Sequence, residues 1–151
     1  MNSCPVPSCD GLRVAHLNIN SLRYKVDQVC QFLSDHRIDI LGLTETHLCN
    51  DFNDNELHIP HFRIFRKDRT EFGGGVALYA KEHLKVTRFC ELDCNGIEQI
   101  SVKVQLKEEV VLHHLLCLSP SFRKGGFLVI LGVFLGQFAV IKVYSGGRFQ
   151  C

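Results

Sequence analysis

Apolar residues fall along the chain in short blocks, and their spacing predicts its elements. Residues 12–19, LRVAHLNI, predict a strand that gives way to polar Asn18 and Asn20. Leu22, Val26, Val29, Cys30 and Leu33 then recur at helical spacing and predict a helix with one apolar face, stopping near His36. Asn20 or Ser21 suits its cap, because a short polar side chain can bond the free amides of a first turn. Ile38 to Leu43 predicts a short buried strand, followed by polar Thr44-Glu45-Thr46-His47. Strand, helix, strand in succession favours a layered α/β domain.

Residues 49–61 carry three Asn, two Asp and one Pro and predict a loop. Phe62 to Arg66 predicts a strand, with RIFRKDR as its basic end. Gly73-Gly74-Gly75 marks a turn or a close backbone approach. Val76 to Tyr79 and Lys85 to Phe89 predict further strands. Ile100, Val102, Val104 and Leu106 alternate with Ser101, Lys103 and Gln105, a clear period-2 pattern, and Val110 to Leu118 is its partner across a Lys-Glu-Glu turn. From Phe127 to Ile141 the chain is almost wholly apolar, broken by Gly132, Gly136 and Gln137. A membrane helix needs about 20 apolar residues. This shorter run, rich in β-branched and aromatic residues, predicts one or two buried strands, with a membrane segment as the alternative.

The chain has 151 residues, enough for one ordinary domain. At 46% hydrophobic and 22% charged it is not a disordered tail. Lys+Arg 17 against Asp+Glu 16 gives a formal charge of +1, so bulk charge cannot bind nucleic acid and any DNA contact is a local patch. There are eight cysteines: Cys4, Cys9, Cys30, Cys49, Cys90, Cys94, Cys117 and Cys151. Met1 to Gly11 has no basic region followed by an apolar stretch, so reduced thiols in the nucleus or cytoplasm are expected. Cys4-x4-Cys9 and Cys90-x3-Cys94 lack tight zinc-ligand spacing and no matching His pair follows; buried or incidental thiols suit them better.

Two polar clusters, Asn18/Asn20 and Thr44–His47, follow the ends of two predicted strands. Adjacent strands in a layered sheet bring such residues side by side. A carboxylate beside an amide is half of a site for Mg²⁺, a hard cation that prefers oxygen ligands; the alternative is that Glu45 is a solvated residue at a strand end. Arg63, Arg66, Lys67 and Arg69, interleaved with Phe62, Ile64 and Phe65, read either as a phosphate-binding patch or as an edge strand guarded by charge. No Gly-Lys-Ser/Thr follows the glycine run, which excludes a phosphate loop of that type.

The blocks LNINSLRYKVDQV, DILGLTETHL, IFRKDR, GGGVALYA and IEQISVKVQL, in this order, resemble the endonuclease/exonuclease/phosphatase family. They look closest to the N-terminal endonuclease domain of non-LTR (LINE-type) retrotransposons. The resemblance covers about residues 12–118. It implies a four-layer α/β sandwich with two facing sheets and Mg²⁺- or Mn²⁺-dependent hydrolysis of a phosphodiester in DNA. It implies that Asn18 positions metal and phosphate, that Glu45 is a metal ligand, and that Asn20 and Glu98 support the site.

The second half departs from the family pattern. Where the family has a Tyr-Arg beside a proline, this chain reads Cys117-Leu118-Ser119-Pro120-Ser121. Where a strand ends in Gly-Asp-Phe-Asn, it reads Gly132-Val133-Phe134-Leu135, and neither Val nor Leu can accept a proton or bind a metal. Ser34-Asp35-His36 falls at the end of the first helix, not after the last strand where the family has such a block. The expectation is an N-terminal extension (residues 1–11), the N-terminal part of the family's domain (12–118) and a diverged apolar tail (119–151). The incomplete fold would be an endonuclease with weak or no activity, or a catalytically dead DNA- or protein-binding remnant. DNA is the expected partner, unpaired strands or the apolar tail offer a route to self-association, and no nucleotide cofactor is expected.

Overall fold

The computed structural model describes residues 12–90, 98–105, 110–117 and 142–144. Its elements in chain order are β1 (Val14–Asn18), α1 (Val26–Asp35), β2 (Ile40–Thr44), a 3₁₀ turn (Asp54–Leu57), β3 (Phe62–Lys67), β4 (Val76–Lys81), β5 (Lys85–Arg88), β6 (Glu98–Gln105), β7 (Val110–Cys117) and β8 (Lys142–Tyr144). One sheet has five strands in the order β3-β4-β2-β1-β8, and the other has three, β5-β6-β7. β1 and β2 run parallel, with Asn18 opposite Thr44, and α1 is the crossover that parallel pairing requires. β4 is antiparallel to β2 and β3.

Both faces of the larger sheet are covered. Ala15, Leu17, Leu41, Leu43, Ala77 and Tyr79 join Val29 and Leu33 of α1 in one apolar cluster. Ile40, Val76, Leu78 and Ala80 join Val86, Ile100, Val102 and Val104 of the second sheet in another. A strand covered on both faces reads as a continuous apolar run, which is why Ile38 to Leu43 and Val76 to Tyr79 show no alternation. The described residues thus stack as helix, sheet and sheet, the expected mixed α/β architecture.

One expectation needs correction. The helix begins at Val26, not after Asn20 or Ser21, and Lys25 at its N-cap makes no side-chain cap bond. Leu22 is buried and the chain turns between Leu22 and Lys25 (Lys25 N to Leu22 O, 2.9 Å), so the first apolar position belongs to the loop. On β6 the polar residues do not all face solvent: Gln99 and Ser101 are buried, while Lys103 and Gln105 are not. This strand is central in its sheet.

Residues 49–61 contain the 3₁₀ turn, whose cap Asn53 accepts the Asn55 amide at 3.0 Å. No helix among the described residues is long and apolar enough to cross a membrane. The N-terminal extension and the apolar run Phe127–Ile141, with Val133 and Leu135, lie outside the described residues. Within the tail, β8 pairs in parallel with β1, Ala15 opposite Lys142 and Leu17 opposite Tyr144.

Candidate functional site

Pairing does not stop where β1 and β2 end. The amides of Ile19, Ser21 and Leu22 donate to the carbonyls of Thr44, Glu45 and Thr46 at 3.0, 2.8 and 2.9 Å. On the other side, the amides of Thr46 and His47 donate to the carbonyls of Gly75 and Gly74 at 3.3 and 3.0 Å. Glu45-Thr46-His47 is therefore the middle of three laced segments. The lacing holds unfavourable backbone: φ is +46° at Asn20, +75° at Ser21, +56° at Glu45 and +53° at His47. Left-handed backbone costs a non-glycine residue about 1–2 kcal/mol, and such strain gathers at functional sites.

Glu45 follows the last residue of β2, and its side chain is only 12% exposed. Its Oε2 accepts the Gly74 amide at 3.0 Å and lies 3.2 Å from Nε2 of His47. The next amide, Gly75, donates to Oε2 of Glu98 at 2.7 Å, and Oε1 of Glu98 is 3.1 Å from a guanidinium nitrogen of Arg69. Consecutive amides thus hold two carboxylates, one from each sheet. Glycine is required here. φ is +76° at Gly74 and +82° at Gly75, and a Cβ on Gly74 would lie 2.6 Å from Oε2 of Glu98. A Cβ on Gly75 would lie 2.5 Å from Oγ1 of Thr46.

Asn18 is the last residue of β1 and is half-buried, and its Oδ1 accepts the Asn20 amide at 3.2 Å. Nζ of Lys25 donates to the carbonyls of Ile19 and Asn20, each at 2.7 Å, and fixes this loop. Asn18 stands opposite Thr44, the residue before Glu45, and Glu45 and Glu98 are joined through the Gly74 and Gly75 amides, so all three lie at one end of the two sheets. Asn20 is exposed on the same loop. Asp35 and His36 end α1, ahead of β2, at the opposite end of the sheet. Asp35 accepts from Gln31 at 2.7 Å and His36 packs on Phe32.

The four basic residues do not form one patch. Arg63 is exposed and donates to the Leu84 and Val86 carbonyls at 2.9 and 3.3 Å. Arg66 lies on the other face of β3, its side chain 17% exposed, donating to the Phe52 carbonyl and paired with Asp54 and Asp68 at 3.3 and 3.2 Å. Burial raises the Asp68 carboxyl above its ordinary range, Arg66 opposes that, and Asp54 adds to it. Lys67 is half-buried at the end of β3, and Arg69 belongs to the glycine segment through Glu98.

Sequence reasoning missed the carboxylate-binding role of the Gly74 and Gly75 amides and the His47–Glu45 contact. A glycine run entering a strand was the available signal for a close approach, but not for its partner.

Among the described residues no three His, Cys, Asp or Glu side chains gather to hold a metal ion. The oxygen donors present, the Glu45 carboxylate and the Asn18 amide, suit a different mode. Mg²⁺ usually keeps several waters and takes one or two carboxylates plus substrate phosphates. The donor set fits a divalent ion held in that way and does not fit an all-protein cage.

Known structures resemble the chain in part. An AP endonuclease from Archaeoglobus fulgidus is 21% identical with a TM-score of 0.48, over 68% of this chain and 40% of that one. A 3′ phosphatase from Neisseria bound to a product DNA hairpin is 20% identical at 0.48, over the same shares. The catalytic domain of Xenopus laevis APE2 is 14% identical at 0.45, over 68% and 43%. The chain thus spans about 40% of the length of these proteins. No curated protein matches it. The sequence itself is decisive: the model of the Endonuclease/Exonuclease/phosphatase family matches residues 15–131, and the chain belongs to that family.

Proposed function

We propose that the chain carries the metal-side half of a DNA phosphodiester hydrolase of the endonuclease type, related to the endonuclease domains of LINE-type retrotransposons. The observation that carries this reading is Glu45, held in left-handed backbone beside Asn18 and fixed by the Gly74 amide. In this reading Glu45 would hold Mg²⁺ or Mn²⁺ and the Asn18 amide would position metal and phosphate; the ion would supply charge neutralisation at the phosphate. Gly74 and His47 keep the Glu45 carboxylate oriented. Glu98 steadies the glycine segment, and Asn20 stiffens the loop. Lys67 and Arg69, at the glycine end of β3, contact phosphates, and Arg63 and Arg66 are assigned to the fold.

A second reading is a DNA-binding remnant without activity. Val133 and Leu135, standing where the family has Asp and Asn, favour it. Nicking of supercoiled plasmid with Mg²⁺ separates the two. Nicking that is lost in EDTA and in Glu45→Ala supports the hydrolase. Retention of plasmid in a gel shift without nicking supports the remnant. A protein that neither nicks nor binds DNA overturns both.

A further inference from the structure

A single exposed apolar side chain is ordinary on a protein surface, so it is the placement of such side chains that carries information. Among the described residues two are strongly exposed, Tyr24 at 83% and Phe72 at 88%. Both belong to segments laced to Glu45–His47. Tyr24 is the third residue of a four-residue turn closed by Lys25 N to Leu22 O at 2.9 Å, and Leu22 is itself bonded to Thr46. Phe72 is the third residue of a turn closed by Gly73 N to Thr70 O at 3.3 Å, and Gly74, the residue after that turn, donates to Glu45. Each ring is thus presented at the tip of a closed turn, one on either side of the Glu45 segment. A cation accompanies each turn. The guanidinium of exposed Arg23 lies 5.2 Å from the Tyr24 ring centroid, and Arg69 precedes Thr70 with its side chain 43% exposed.

We infer that Tyr24 and Phe72 form a pair of base-contacting rings that grip DNA on the two sides of the Glu45 site. The inference rests on the DNA reading above and deepens it. Aromatic faces stack on unstacked bases or wedge between base steps, and adjacent cations meet the backbone phosphates. Such a pair fits a strand whose stacking is opened at the site.

The test uses the full chain, a fluorescein-labelled 20-mer duplex and the same strand unpaired, with affinity read by anisotropy over a salt series. Tyr24→Ala and Phe72→Ala should each weaken binding about tenfold, the scale for losing one stacked base. The slope of log affinity against log salt should not change, because no phosphate contact is removed. Tyr24→Phe should bind like the parent chain. Both side chains are exposed, so thermal melts should match. Alanine variants that bind like the parent overturn this inference and leave the DNA reading intact. Variants that only convert a self-associated chain to monomer overturn it in favour of a second copy of the chain. A parent chain that binds neither DNA overturns the inference and the DNA reading together.

Discussion

The amide of Gly75, entering β4 in one sheet, donates at 2.7 Å to the carboxylate of Glu98, at the head of β6 in the other. With the Gly74 amide on Glu45, this bond makes the glycine segment a bridge between the two sheets.

Gly74→Ala places a Cβ 2.6 Å from Oε2 of Glu98 in backbone at φ +76°. The left-handed penalty and the displaced carboxylate together should cost roughly 2–4 kcal/mol. Urea unfolding measures it. Glu98→Gln, which keeps an acceptor for Gly75 and loses a half-exposed ion pair, should cost under about 1 kcal/mol.

Glu45→Gln keeps oxygen on the Gly74 amide and removes the charge. Folding, read by circular dichroism, should be preserved. Any Mg²⁺-dependent nicking should fall on the order of 100-fold, the scale for losing one charge-stabilising group. Nicking that survives this change assigns the metal to other residues.

Arg66→Ala leaves Asp68, whose side chain is 7% exposed, without its guanidinium partner. Unfolding measurements should show a loss of about 2–4 kcal/mol. The salt slope of DNA binding should be unchanged, whereas Arg69→Ala should flatten it.

Asp68 also sets a pH dependence. Its carboxyl titrates above the ordinary value of 3.8, so between that value and its raised one the folded chain holds more proton than the unfolded chain. Its contribution to stability is fully present below 3.8 and is lost as pH rises through the raised value. Urea titrations at stepped pH from 3.8 up through the raised value should therefore show Asp68→Asn gaining on the parent as pH increases, with no further gain above it. A difference independent of pH would contradict the assignment.

The course of the chain was legible because it is written in local spacing. β1, β2, β4 and the β6–β7 hairpin fall where apolar blocks and alternation put them, and Asn18 and Glu45 fall at strand ends. Local spacing misled at Asn20 and Ser21, which are good caps by residue type. The Ser21 amide is instead bonded to the Glu45 carbonyl and the Asn20 amide to Asn18 Oδ1, and the helix starts later.

By itself the sequence determined the family, the order of the elements and which polar residues stand at the ends of strands. The tertiary structure decided their partners. It put Arg66 inside against Asp68, buried Gln99 and Ser101, and joined Glu98 to Glu45 through two glycine amides. The physical reason is range. Periodicity reports which face of one element is apolar, while these bonds join residues 23 and 29 positions apart, and only packing of the two sheets brings them within reach.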